Sequence, residues 1–404
     1  MNKRVLVNII FFLLVLYTYS YFEEVSEEDP LFSVIWGLEV DGRVEKVSFI
    51  SNKTLAVVVS QPYIPVKWDN YVVKNGSIFV VNLEGEILKN ISLLPIIQDV
   101  DISGEFIIVG GYGILPPEES SSTVTLKPSY LALYSTNGSQ LWKREMEPLQ
   151  VSVAGDVVVA SASDKDRGPP KVYVFNSNGD LLWESCGYKV ATNGEVIGIA
   201  YGRNISIFTK DGDLVMKLEL ISDPVNGVYL TKNQDIAITS YLMGNMDKPK
   251  LRMFDKDGRL RWMKAFEGPI IRTAFTSDGK LIAVFDGKLR IFDKNGGLLW
   301  VEPYNSSIFL NTFAFSPDGR LIVYADYSYI RLIVNPLFDI DKDKILDDED
   351  LIPIHNGLFW RVLLTIIFGV FAAWVNWKEK KRGREKARKA YLELKETFGK
   401  TKED

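Results

Sequence analysis

Cysteine and histidine are almost missing from this 404-residue chain, which has one of each, Cys186 and His355. A lone cysteine cannot form an intramolecular disulfide, so a disulfide scaffold is excluded. Cys/His zinc sites, Ser-His-Asp triads and Cys-His pairs lack the partners they need. His355 lies beside an apolar segment, where a structural or interfacial role is expected. Positive charge is scarce in the body of the chain. The net charge is −5, yet residues 378–404 carry eleven basic and six acidic residues, a net +5, and Lys3 with Arg4 adds +2. The remainder is therefore at −12, which reads as ordinary solubility and carries no basic footprint for nucleic acid. Low use of His, Cys and Gln is the composition expected of a thermophile, an archaeon among them.

Two long apolar runs are present, one near each end. Val5 to Phe22 follows Lys3 and Arg4 and precedes Glu23, Glu24, Glu27, Glu28 and Asp29. As a helix its 18 residues would extend about 27 Å, close to a bilayer core. An uncleaved signal anchor over 1–22 is expected; a cleaved signal peptide ending near Thr18-Tyr19-Ser20 is the alternative. The second run, 357–377, is flanked by Trp360, Trp374 and Trp377 and followed by a dense basic stretch from Lys378 to Lys389. That pattern predicts a transmembrane helix with a cytoplasmic tail at 378–404. Residues 23–356 are then expected outside the cell membrane. Six Asn-x-Ser/Thr sites, at Asn52, Asn75, Asn90, Asn137, Asn204 and Asn305, agree with export.

Between these runs one nine-residue phrase recurs. It reads Phe254 to Trp262 (FDKDGRLRW), Phe292 to Trp300 (FDKNGGLLW) and Phe175 to Trp183 (FNSNGDLLW). Weaker copies are Tyr134 to Trp142, Phe208 to Met216 and Val81 to Lys89. Each is an apolar strand, a turn whose Gly can take positive φ, and a second apolar strand, so each predicts a β-hairpin. Gly85, Gly138, Gly179, Gly212, Gly258 and Gly296 recur every 33 to 53 residues, about the period of a propeller blade. A second phrase, clearest at Thr273 to Asp286 and Thr312 to Asp326, predicts the first two strands of each blade.

There are seven such strand pairs but six complete hairpins. The seventh blade ends at Ile330 to Val334 without a fourth strand. Trp36 stands 13 residues before Phe49, as Trp262 stands 13 before Phe275. The segment Leu31 to Trp36 is therefore expected to close blade seven against Ile330 to Val334, leaving no open sheet edge. The predicted fold is an all-β, seven-bladed β-propeller over 31–334, flanked by two transmembrane helices. Acidic linkers at 23–30 and 335–356 would join it to them.

These residues resemble known repeats. The FDxxGxLxW hairpins are similar to quinoprotein-type (PQQ-like) propeller repeats, in which the Trp docks one blade on the next. The SPDGRLIVYAD stretch resembles WD40-like repeats. The resemblance covers about residues 31–334 and implies the fold; propellers serve as scaffolds, ligand binders and enzymes alike. Quinone-cofactor dehydrogenases of that group generally have larger, eight-bladed domains with a metal-bound cofactor. The matching carboxylate set is not found here, so that chemistry is not carried over.

The chain leaves blade seven after its third strand and enters that blade at the start of its fourth, so both ends are expected on the lower rim, facing the membrane lipid. The connections between second and third strands lie on the opposite, upper face and are long in blades one, two, three and five. Long loops on a rigid scaffold are where binding residues concentrate. Tyr63, Trp68, Tyr71 and Tyr112 are the aromatic candidates for a binding surface, and Lys165 and Arg167 the charged ones. The expected function is a binding or scaffold protein at the cell surface, with a protein or glycan partner on the outer face. The alternative is an extracytoplasmic enzyme with a site on the same face, glycan-active or quinone-dependent. Convergent carboxylates at the channel mouth would favour the enzyme.

One stretch has the spacing of a metal loop. Asp339, Asp341, Asp343, Asp347 and Asp350 occupy positions 1, 3, 5, 9 and 12 of a twelve-residue segment, and Ile345 would offer its carbonyl. Alternate carboxylates can converge on one hard cation, and Ca²⁺ takes six to eight oxygens. The spacing resembles thrombospondin type 3 and EF-hand-like calcium loops. Lys344 stands where those loops have Gly, and Asp350 is shorter than the usual Glu, so affinity is expected near 10⁻⁴ to 10⁻³ M, about that of extracellular modules. A solvated acidic stalk is the alternative. Calorimetry with millimolar Ca²⁺ is expected to show a saturable heat that Asp341→Asn with Asp343→Asn removes; no heat in the unaltered protein excludes the site.

Overall fold

A computed structural model of the chain describes residues 34–60, 64–65, 71–72, 76–93, 96–115, 125–163, 168–221, 223–240, 248–268, 270, 272–301, 310–338, 373–374, 377–378, 380–390 and 392–393. The chain divides into two units. One comprises Leu31–Asp339, and the other Met1–Pro30 with Ile340–Asp404.

The unit Leu31–Asp339 is a seven-bladed β-propeller. There are seven four-stranded antiparallel sheets, and in the first six the strands follow along the chain and pair in sequence order, innermost first. Blades one to six span 43–92, 96–145, 148–186, 189–219, 225–265 and 272–301. Blade seven takes three strands from 310–334 and its outermost, Val34–Glu39, from the start of the propeller. Val34–Glu39 pairs antiparallel with Tyr329–Val334, Trp36 opposite Leu332 and Leu38 opposite Ile330. The described pairing runs past Trp36 to Glu39, and Leu31 to Ser33 lie outside the described residues. Trp36 keeps the expected docking position, and the pairing runs on to Glu39 because the partner strand begins at Tyr329.

The core is not one central mass. It consists of seven apolar clusters, each straddling one junction between neighbouring blades. The junction of blades seven and one, where Val44, Val47, Leu55 and Val57 meet Val323, Ile330 and Leu332, is built like the others. Second strands are packed by a blade on either side, so both faces must be apolar. They read as near-continuous buried runs: Thr54–Ser60 (TLAVVVS), Val157–Ala162 (VVVASA), Leu281–Phe285 (LIAVF). This two-sided burial replaces the usual alternation of a sheet with one wet face.

The nine-residue phrase is the device that locks blade to blade. Its first residue in one blade receives the Trp of the preceding blade: Trp142 on Phe175 (5.7 Å between ring centroids), Trp183 on Phe208 (5.3 Å) and Trp262 on Phe292 (6.4 Å). Each indole N–H also donates to a turn carbonyl of the next blade. Trp36 reaches Leu83 O at 2.6 Å, Trp142 Ser177 O at 3.0 Å, Trp183 Lys210 O at 2.8 Å and Trp262 Lys294 O at 2.9 Å. The ring lies flat on the turn glycine. A Cβ at Gly296 would stand 2.8 Å from Trp262, and one at Gly179 3.0 Å from Trp142, with φ at 82° and 90°. Glycine is therefore required twice, for the left-handed backbone and for the close approach. The residue after the Phe caps the turn. Asp255 Oδ1 accepts from the Asp257 and Arg259 N–H groups, at 3.0 and 2.8 Å. The Arg259 N–H above all holds the Asp255 carboxyl below its usual range.

The expected pair of flanking transmembrane helices is corrected by the structure. Among the described residues, no helix is long and apolar enough to cross a membrane. The helical residues that are described lie within 373–393, all exposed. From Lys378 on they belong to the basic tail, which is far too polar for a spanning segment, while Ala373, Trp374 and Trp377 stand at the end of the expected span. Residues 5–22 and 357–372 lie outside the described residues.

Replacing Gly296 with Ala should destabilise the fold by about 2 kcal/mol or more, combining strained φ with displacement of Trp262. Gly104→Ala, at φ 55° with nothing within 4 Å of the added Cβ, is the control and should cost about 1 kcal/mol. Urea denaturation of both variants measures the difference; equal losses would mean that the Trp contact is not the constraint.

Candidate functional site at the upper channel mouth

Antiparallel topology sorts the connections onto two faces. The lower face carries the turns between first and second strands and between third and fourth. These span two to five residues. The upper face carries the connections between second and third strands, which range from two residues in blades four and seven to sixteen in blade one. One face is uniform and the other varies.

The inner strands ring a channel and carry polar residues in an otherwise apolar setting. In Ile96–Ser103 (IIQDVDIS), Asp99 and Asp101 are two apart and so share a side. Both point to blade three. Asp99 Oδ2 accepts from the Val151 N–H at 2.8 Å, and Asp101 Oδ2 from the Val153 N–H at 3.0 Å and the Ser152 hydroxyl at 3.1 Å. Lys46 of blade one pairs with Asp101 Oδ1 at 3.2 Å. Blade three repeats the move on blade four: the Val190 N–H donates to Gln150 Oε1 at 3.2 Å and the Thr192 N–H to Ser152 Oγ at 3.2 Å. Thr312 Oγ1 accepts from the Val47 N–H at 3.4 Å, joining blade seven to blade one. Blades seven, one, two, three and four are thus laced through their inner strands.

The lacing then moves to the lower turns. Asn193 donates to Thr231 O at 2.8 Å, Asn233 to Asp278 O at 2.9 Å and Ser277 to Pro317 O at 2.8 Å, joining blades four to five, five to six and six to seven. Blade six carries Arg272 and Thr273 at the start of its inner strand. There the Thr273 hydroxyl is buried without a hydrogen-bond partner.

Charge collects at the upper end, where the inner strands begin. Burial pushes the Asp99 carboxyl up to about 6; the Val151 N–H and Lys46 oppose this, and Asp101 adds to it. Lys189 of blade four is pushed down by burial, pulled up by Asp99 and pushed down again by Arg272 of blade six. Four blades therefore bring Lys46, Asp99, Asp101, Lys189 and Arg272 into one electrostatic cluster. On the upper side of blade five, Arg252 and Lys250 both bind the buried Asp223 carboxylate, Lys250 at 3.1 Å, and Arg252 also donates to Ser240 Oγ at 3.1 Å. That buried network anchors the two ends of the 241–249 connection.

Of the residues singled out in the sequence, Tyr112 is on this face. It sits on the second strand of blade two opposite Ile96 and Ser129, and burial, with the Glu147 charge adding, pushes its hydroxyl up. Tyr71 belongs to a short pair in which it faces Pro65. The expected open loop from Gly111 to Pro128 is partly strand: Phe106–Leu115 and Thr125–Ser135 prolong the blade upward. Tyr63, Trp68, Lys165, Arg167 and the whole loop from Asp339 to Asp350 lie outside the described residues. Among the described residues no three His, Cys, Asp or Glu groups are placed to hold a metal ion. The channel cluster was missed in the sequence, although acids at alternate positions inside an apolar inner strand are a signal for it.

The fold and this arrangement define the class: a seven-bladed β-propeller with a charged channel mouth. No family model matches the chain, and no curated protein matches its sequence. Solved structures match in fold. The β-propeller domain of Myceliophteria thermophila Cps50 (Swd1) is similar with a TM-score of 0.54 at 11% identity, over 75% of this chain and 99% of that one. A chain of the mitotic checkpoint complex is similar with a TM-score of 0.54 at 15% identity, over 76% and 95%. At such identities the likeness speaks for the fold alone.

Because the Asp99 carboxyl in the folded protein titrates above its unfolded value, its contribution to stability is full below about pH 4 and is lost as pH rises through about 6. Asp99→Asn keeps an acceptor for the Val151 N–H without the charge. The variant should gain about 1 to 2 kcal/mol over the unaltered protein at pH 8 and almost nothing at pH 4, allowing for solvent screening. Denaturation curves at the two pH values check this; an equal effect at both would remove the titration as its cause.

Proposed function

We propose that this chain is a binding scaffold that holds a protein partner on its upper face. One observation carries the reading: the lower connections are short and alike, whereas the upper ones range from two to sixteen residues. Turns that dock blades cannot vary, because Trp and Gly must meet; connections free of that duty can diverge toward a partner. A rigid ring laced through its channel and its lower turns is a fitting platform for such connections. The fold is also that of a chain in the mitotic checkpoint complex, a protein assembly.

The enzyme reading draws less support. Asp99 and Asp101, the carboxylates nearest to a convergent pair, already accept backbone N–H groups and an ammonium. A carboxylate so engaged is a latch before it is an acid or base.

Capture from native extract tests the proposal. Trp68→Ala with Tyr71→Ala, and separately Lys189→Glu, should reduce recovery of the partner about tenfold or more. Lys210→Glu, on a lower turn, should leave it unchanged. Undiminished capture by both upper-face variants, or loss confined to the lower-face one, would overturn the assignment.

A further inference from the structure

In the second unit the described helical residues are 373–374, 377–378, 380–390 and 392–393, and every one of them is exposed. Between 378 and 389 stand eight Lys and Arg residues against two Glu, a net +6 in twelve residues. The rest of the chain is then at −11, so positive charge is concentrated in this helix. Along 378, 382 and 386, and again along 380, 384 and 388, each cation meets another four residues on, which repels in water. Among the described residues none of the eight is ion-paired.

The aromatic residues of this helix share the basic side. Lys378 Nζ stands 4.7 Å over the Trp374 ring, and Lys381 Nζ 5.6 Å over the Trp377 ring. Trp and cation therefore lie on one face, a turn apart. Arg384 and Arg388 follow Trp377 and Lys381 at helical spacing and fall on the same side. Trp377 is 60% exposed, and Leu392, beyond the last of these cations, is 51% exposed. Gly383, Ala387 and Ala390 make up the remaining side, which is narrow and has no apolar bulk. The helix thus has no broad apolar stripe with which to pack on a protein core, and it is too charged to cross a bilayer.

Independently of the upper-face reading, we propose that this helix lies on an anionic membrane surface, its Lys and Arg side chains over the lipid headgroups and Trp377 in the headgroup layer. An anionic surface supplies what the helix lacks, a counter-charge for each row of like charges. Basic clusters of this size are drawn to anionic leaflets, and Trp settles at such interfaces. A nucleic acid offers phosphates too, but no place for the chain that leads into the helix. Residues 362–377 are sixteen in a row without a charge, with Trp374 and Trp377 next to the first cation. Such a sequence gains by leaving water for a bilayer interface, and a phosphate backbone gives it no such cover. The contact is one of lying on the surface, not of spanning it.

Flotation of the full chain with lipid vesicles tests this, using phosphatidylcholine alone and phosphatidylcholine mixed with phosphatidylserine. The quantity read is the binding to the mixed vesicles relative to the neutral ones, which apolar contact by itself does not move. The ratio should be about tenfold or more at low salt and fall toward unity as salt screens the charges. Lys381→Gln with Arg384→Gln and Arg388→Gln should lower the low-salt ratio about fivefold or more. These side chains are exposed, so the variant keeps the fold. Lys210→Gln with Lys256→Gln and Lys294→Gln, exposed lysines of the lower propeller turns, should leave the ratio unchanged. A ratio near unity for the unaltered protein, a ratio that the helix variant does not lower, or an equal fall in the lower-turn variant would overturn the proposal. A duplex oligonucleotide bound by the helix where anionic vesicles are not would overturn it as well, and would assign the basic face to nucleic acid.

Discussion

The contact on which this structure depends is a tryptophan laid on a glycine. In four junctions the indole of one blade covers the turn glycine of the next and donates its N–H to a turn carbonyl there. The phrase that carries this contact is self-complementary: its last residue docks on its first and its middle in the next copy. Repetition along the chain therefore becomes a ring in space. Where the Trp is replaced the geometry is kept by other means, with Met216 against Gly258 and with Lys89 and Ile91 against Gly138. Closure completes the logic, since Trp36 brings the first residues of the propeller to the position the seventh blade lacks.

Polar groups reinforce the ring without sharing that pattern. The inner strands expose N–H groups to the channel, and unsatisfied groups there would be expensive. Blades three and four have theirs satisfied by acids, an amide and a hydroxyl from the preceding blade, and the junctions from blade four round to blade seven are tied through the lower turns. Structural duty thus falls on the lower face and the channel wall. The upper connections are freer of it, and they range from two to sixteen residues.

Much of the fold was legible because the docking device is local. Phe, Asp, Gly and Trp at fixed spacing announce a hairpin and its contact together, and Trp36 could be placed by its distance to Phe49. The end of the closing strand, at Glu39, was missed, because spacing locates a docking residue and says nothing of where pairing ends. The two flanking spans were inferred from hydropathy and basic flanks, yet among the described residues no helix is long and apolar enough to cross a membrane. The site was far less legible. Lys46, Asp99, Lys189 and Arg272 come from four blades, and no spacing along the chain reveals that they share one electric field.

By itself, then, the sequence determined the number of blades, the order of strands and the way the ring closes, since each follows from short-range patterns that fix local geometry. Only the tertiary structure decided which charges meet at the channel mouth and which carboxylates are spent on backbone N–H groups. Those outcomes arise between segments far apart in the chain, where distance and burial, not spacing, set the interaction.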